Sequence, residues 1–157
     1  GVCKAYLEFL QSADAQKIIT EKGYVSTNDG AQEYKIQSGL TGKIGISGST
    51  SLQPLMIELA KKFESLQSGV TVSVSGGGSG TGYKNAKEGV SGFGMISETF
   101  NSEKADNCTS YEVAKDGIAV IVNKANTNDN IALDTLKSIY NCEAGDSAVT
   151  KWNQVSK

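Results

Sequence analysis

The sequence predicts an α/β domain, a sheet of largely parallel strands with helices on both faces. Three observations lead there. Short β-branched runs, KIGIS (43–47) and VTVSV (70–74), are each followed by a helical pattern. The run GIAVIVN (117–123) has the unbroken apolar character of a strand buried on both faces. Eighteen glycines against one proline, in 157 residues, call for many tight loops between short elements.

Each element has its own justification. Residues 4–22 read as an amphipathic helix, with Ala5, Leu7, Phe9, Leu10, Ala13, Ile18 and Ile19 on a broad apolar face and Gly23 as its stop. The polar stretch 26–42 has glycines and no strong periodicity, and reads as a linker or surface loop. After the strand at 43–47, residues 52–66 predict a helix: Leu55, Leu59, Phe63 and Leu66 recur at spacings of three and four, and Pro54 fits its first turn. The strand at 70–74 leads to a short helix over 82–88 and a third strand over 92–96. A polar turn at 101–108 precedes the strand at 117–123. A helix over 131–140 and a loop holding Lys151, Trp152 and Asn153 complete the chain.

Composition excludes several functions. Net charge is −2 with no basic run, which argues against a nucleic-acid binder. All fifteen basic residues are lysine, with no arginine and no histidine. A Ser-His-Asp triad, a Cys-His pair and a histidine metal site are therefore impossible within these residues, and bidentate guanidinium clamping of a phosphate is equally absent. Cys3, Cys108 and Cys142 form no C-x-x-C pair, so no zinc site is expected. A Cys108–Cys142 disulfide and buried free thiols both remain open. No stretch is long and apolar enough to span a membrane. No enzyme activity and no cofactor are expected.

Three Ser/Thr/Gly clusters stand where helices could begin: Gly48-Ser49-Thr50-Ser51, Gly76 through Gly82, and Gly94 through Thr99. A helix start offers unpaired N–H groups and the positive end of its dipole, so it suits an anion. The plainer reading of each is an N-capped β–α connection. Three such loops at the C-terminal ends of parallel strands favour a ligand site, since ligands of open α/β sheets sit beyond those ends. Familiar nucleotide templates do not fit. Gly77 and Gly82 have P-loop spacing but are followed by Tyr83-Lys84, G-x-G-x-x-G fails from both Gly76 and Gly78, and a nucleophile elbow on Ser79 ends at Thr81.

The runs IGISGSTSLQPLMIELAKKF, VTVSVSGGGSGTGYKNAKEG, FGMISETF, AKDGIAVIVNKAN and LDTLKSIYN with KWNQV resemble the phosphate-binding solute receptors of ABC importers, in that family's order from Lys43 to Val155. The resemblance implies a type II periplasmic-binding-protein-like lobe, with a central sheet flanked by helices and a crossover strand at 117–123. It implies anion contacts from Ser49, Thr50 and Ser51, from Ser79, Gly80 and Thr81, and from Ser97 with Glu98. The opening AYLEFLQSADAQKIITEKGYV resembles the segment that normally ends the family's chains, so residues 1–25, 26–42 and 43–157 are expected to be a displaced terminal helix, a linker and an N-terminal-lobe-like domain. The arrangement looks like a permutation or a slice of a tandem array. The family's second-lobe motif, an arginine followed by Gly-Ser-Gly-Thr, is not among the 157 residues, so a second lobe from elsewhere is an expected partner, with an ABC permease. The implied ligand is inorganic phosphate and the implied location extracytoplasmic, with no signal peptide in this chain. Sulfate, molybdate or tungstate as ligand, and a sensing or adhesion role, stand as alternatives. Glu98 has two readings: acceptor for the proton of hydrogenphosphate, or a solvated loop carboxylate.

Overall fold

The computed structural model of the chain describes residues 1–128, 130–141, 143, 145 and 148–155. It divides into two units, Gly1–Gly117 and Ile118–Lys157. In the first, β1 (Gly42–Gly48), β2 (Val70–Ser75) and β3 (Phe93–Met95) form a parallel sheet in the order β2-β1-β3. Because all three strands run the same way, their C-terminal ends lie along one rim, and each of the three Ser/Thr/Gly clusters leaves from that rim.

Strand periodicity sorts β1 into two faces. Ile44 and Ile46 enter the apolar core with α1 (Val2–Leu10), α2 (Ala13–Glu21) and α3 (Gln53–Leu66). Phe63 of α3 is its hub, with Tyr6 edge-on at 5.0 Å, Phe9 at 5.3 Å and Tyr34 at 5.7 Å between ring centres. Burial of each such ring is worth roughly 1.5–3 kcal/mol. The Tyr6 hydroxyl is enclosed there without a hydrogen-bond partner among the described residues, and burial, with Glu64 adding to it, pushes that phenol well above the usual tyrosine range. The other face of β1 carries Gly45 and Ser47, and Ser47 meets Asn85 of α4 (Ser79–Lys87).

Three elements differ from the sequence expectation. The helix expected over 4–22 is two helices. At the joint Ser12 takes extended angles, and its hydroxyl donates to the Phe9 carbonyl at 2.6 Å. A buried serine that captures a backbone carbonyl competes with helix continuation. Gln16 reinforces the joint by donating to the Leu10 carbonyl at 2.9 Å. The stretch 26–42 is irregular, yet Tyr34 ties it to the core: its ring stands edge-on to Phe9, and its N–H donates to the Asp14 carboxylate at 3.0 Å. Helix α4 starts three residues before the expected position, at Ser79.

The expected buried crossover strand at 117–123 is corrected by the structure. No strand ladder forms over these residues; Ile118 is 100% exposed and Ile121 88%. A strand exists only beside another strand, and apolar composition alone supplies no neighbour. The second unit has one α-helix among its described residues, α5 (Leu133–Ile139), and a 3₁₀ turn at Trp152–Gln154, where Gln154 Oε1 accepts the Thr150 and Lys151 N–H groups at 3.0 and 2.9 Å.

Candidate functional site

The rim is assembled largely from backbone. β1 ends at Gly48 with φ +136°, where a Cβ would lie 2.2 Å from the Met95 carbonyl oxygen and 2.8 Å from Gly82 Cα. Only glycine lets the end of β1, α4 and β3 come this close. The Ser49 N–H donates to the Met95 carbonyl at 2.9 Å, and the Gly78 N–H donates to the Gly48 carbonyl at 2.9 Å. The first loop is thus bonded to the third, and the second to the first.

Within the first loop, Ser49 is buried and its Oγ accepts the Leu52 N–H at 3.3 Å, closing the turn into α3. Thr50 and Ser51 are exposed, and their hydroxyls make no hydrogen bond among the described residues. The Ser51 carbonyl accepts from the Tyr24 hydroxyl at 3.4 Å. Gly76 of the second loop lies beside the first: a Cβ there would be 2.6 Å from Gln53 Oε1 and 3.2 Å from Thr50 Cγ2.

The second loop passes through positive φ at Gly77 and Gly78, then turns into α4 with no side-chain cap. Ser79, Gly80 and Thr81 are the first turn of that helix, whose early N–H groups have no intrahelical acceptor. Thr81 Oγ1 donates back to the Gly77 carbonyl at 2.8 Å. Ser79 Oγ accepts the Ser97 N–H at 3.1 Å and lies 3.4 Å from Ser97 Oγ, which joins the second loop to the third.

Glu98 follows, and its carboxylate pairs with Lys104 Nζ at 2.7 Å. Lys104 also lies 5.0 Å over the Tyr83 ring, and the Glu98 hydrogen bond raises the lysine's pKa. The Tyr83 hydroxyl accepts the Asn101 N–H at 2.9 Å, and its ring stacks on Phe100, so α4 also anchors the third loop. Lys104 and Gln53 were missed by the sequence reading. Gln53 reads there as an ordinary helical residue, and nothing in sequence spacing links Lys104 to Glu98.

The structure therefore gathers Thr50, Ser51, Ser79, Gly80, Thr81 and Ser97 at one rim. It commits Ser49 to capping and pairs Glu98 with a cation. Clustered hydroxyls and unpaired helix-start amides can donate to an anion without a formal counter-charge. Among the described residues no group of three or more His, Cys, Asp or Glu side chains is placed to hold a metal ion. Cys3 is an exposed free thiol; Cys108 is half-buried, and Cys142 lies outside the described residues.

Several curated proteins and a solved structure are similar to this chain. The chain is 28% identical over 150 residues to the phosphate-binding protein PstS 2 of Streptococcus pneumoniae TIGR4, covering 96% of this chain and 50% of that protein. The PstS 2 of Streptococcus agalactiae 2603 V/R is 29% identical over 155 residues, covering 98% and 50%. The PstS of Bacillus subtilis 168 is 33% identical over 119 residues, covering 73% and 39%. The chain thus spans about half the length or less of these curated relatives. A crystal structure of the phosphate-binding protein of a phosphate ABC transporter from Streptococcus pneumoniae TIGR4 superposes with a TM-score of 0.86 at 27% identity, covering 98% of this chain and 57% of that one. The profile of the PBP superfamily domain matches residues 19–157, most of the sequence, and the chain belongs to that superfamily.

Proposed function

We propose that this chain binds inorganic phosphate as part of an extracytoplasmic receptor serving an ABC importer. The observation that carries the reading is the convergence of the Thr50, Ser79 and Ser97 loops on one rim, bonded to each other through Ser79 and Ser97 and through Gly48 and Gly78. The names of the relatives above support the choice of phosphate among oxyanions. The donors are the hydroxyls of Thr50, Ser51, Ser79 and Ser97 and the amides at the start of α4, that of Thr81 among them; the Thr81 hydroxyl gives its proton to the Gly77 carbonyl and holds the loop in shape. Ser49 contributes by shaping the α3 entry.

A hydrogen bond to a charged group is worth roughly 1.5–3 kcal/mol, so a handful of them can offset the entropic cost of capturing a small ion. Glu98 is the selectivity element in this reading. Paired with Lys104 at 2.7 Å, its carboxylate oxygens can accept the O–H of hydrogenphosphate, whereas sulfate has no proton to offer them. Lys104 partly offsets its charge.

Isothermal calorimetry tests both parts. Phosphate should bind in preference to sulfate and molybdate, Thr81→Ala should weaken it about tenfold, and Glu98→Gln should narrow the gap between phosphate and sulfate. Equal affinity for the three anions, or a Thr81→Ala titration identical to the parent, would sink the reading. Unchanged selectivity in Glu98→Gln would remove Glu98 from it.

A further inference from the structure

Helix α4 provides the start of the second loop's grip, so whatever orients α4 orients the proposed donors. Its contact with the sheet near the rim is glycine on backbone. A Cβ at Gly82 would be 2.3 Å from the Met95 carbonyl oxygen, and one at Gly94 would be 2.2 Å from the Gly82 carbonyl oxygen. Such a contact is close but smooth, because the side chains that bond this half of α4, Ser79 to Ser97 and Tyr83 to the Asn101 N–H, reach the third loop and not the sheet.

The interlocking part lies further along, at Asn85. Its Nδ2 donates to Ser47 Oγ on β1 at 2.9 Å, Ser47 Oγ donates to Ser91 Oγ at 3.1 Å, and Ser91 Oγ donates to the Phe93 carbonyl at 3.0 Å. The bonds form one directed chain from helix to central strand to edge strand, and Ser47 is buried. The Asn85 carbonyl accepts the N–H groups of Val90 and Ser91 at 2.8 and 3.2 Å, which fixes the turn into β3 as well. Nothing in the oxyanion reading uses these groups, since they lie below the rim.

We propose that Asn85 is a positioning residue for the anion cradle: through Ser47 and Ser91 it sets the axial position and rotation of α4, and so where the Ser79–Thr81 amides stand relative to Ser97 and Thr50. Asn85 lies six helical steps beyond Ser79, about 9 Å of rise. A tilt of about 10° at Asn85 displaces the helix start by more than 1 Å, enough to spoil a hydrogen bond near 2.9 Å. The proposal rests on the phosphate reading for its ligand but not for its structural part.

The test uses the full-length gene product and inorganic phosphate. Asn85→Leu keeps the approximate size and deletes the chain's first donor. The expected result is a Kd for phosphate raised about tenfold, with far-UV circular dichroism unchanged and amide hydrogen exchange accelerated at residues 82–85, whose N–H groups are the first bonded ones of α4. Ser91→Ala should shift both readouts the same way by less, and combining the two should cost less than their sum. A folded Asn85→Leu with the parent Kd, or with parent exchange at 82–85, overturns the proposal. If Asn85→Leu does not fold, Ser91→Ala is judged by the same two criteria. A parent protein that ignores phosphate removes the phosphate reading alone, and exchange at 82–85 then decides for Asn85.

Discussion

Gly82 stands inside a helix, where glycine ordinarily costs about 1 kcal/mol relative to alanine. At this position the sign reverses, because the added methyl would meet the Met95 carbonyl at 2.3 Å, and that backbone is held by the Ser49 N–H. Gly82→Ala is therefore expected to destabilise the fold by about 2–3 kcal/mol in urea melts; a gain in stability would show that the rim can open. Tyr6 presents the opposite case. Its buried hydroxyl has no partner among the described residues, so Tyr6→Phe should leave stability unchanged or raise it by about 1 kcal/mol at neutral pH. The pH dependence has a definite direction. The folded-state phenol titrates above the ordinary value of 10.0, so its stability contribution is complete below that pH. It is lost as pH rises past it, because the unfolded chain ionises first. Tyr6→Phe should accordingly lose less stability than the parent between neutral pH and pH values above 10.0, and equal alkaline losses would rule the argument out.

Among elements, α3 combines propensity and packing in the same residues: its apolar positions recur at helical spacing, and the face they form is the face that is buried. Phe63→Ala, at the centre of the aromatic cluster, should cost about 3–5 kcal/mol by chemical denaturation. A loss under 1 kcal/mol would mean that Tyr6, Phe9 and Tyr34 collapse into the space. The break between α1 and α2 and the early start of α4 have a different origin. Both depend on hydroxyl or glycine groups whose partners are local in space, Phe9 for Ser12 and Gly77 for Thr81, and apolar periodicity carries no record of them. The run at 117–123 shows the converse. Its residue types ask for a strand, but a strand needs a hydrogen-bonded neighbour, and none pairs with it among the described residues.

At the scale of the whole molecule, the sheet unit Gly1–Gly117 and the unit Ile118–Lys157 differ in how much they bury: among the described residues the apolar core lies entirely within the first. Limited thermolysin digestion should cut first between residues 118 and 122, where isoleucines and valines are exposed, and leave a resistant fragment close to Gly1–Gly117. An initial cut inside the sheet unit would contradict this. The 157-residue chain by itself is expected to bind phosphate weakly. One rim supplies only some of the donors that enclose an ion, and the ion's remaining oxygens stay hydrated. Micromolar affinity of the monomeric chain by calorimetry would refute that expectation.

What the sequence determined by itself was the α/β alternation, the core face of α3, and the three hydroxyl- and glycine-rich loops, because periodicity and loop chemistry are properties of neighbours along the chain. It also determined what these 157 residues cannot supply to the site, an arginine or a histidine to clamp an anion. The tertiary structure alone decided which hydroxyls are left to donate. Thr81 gives its proton to the Gly77 carbonyl, Ser49 and Ser79 only accept, from the Leu52 and Ser97 N–H groups, and the Thr50 and Ser51 hydroxyls bond to nothing among the described residues. It alone brought Asn85 to Ser47, 38 residues away. Hydrogen bonds between distant segments depend on distances that no local pattern encodes, and they decide where the donors of a binding rim point.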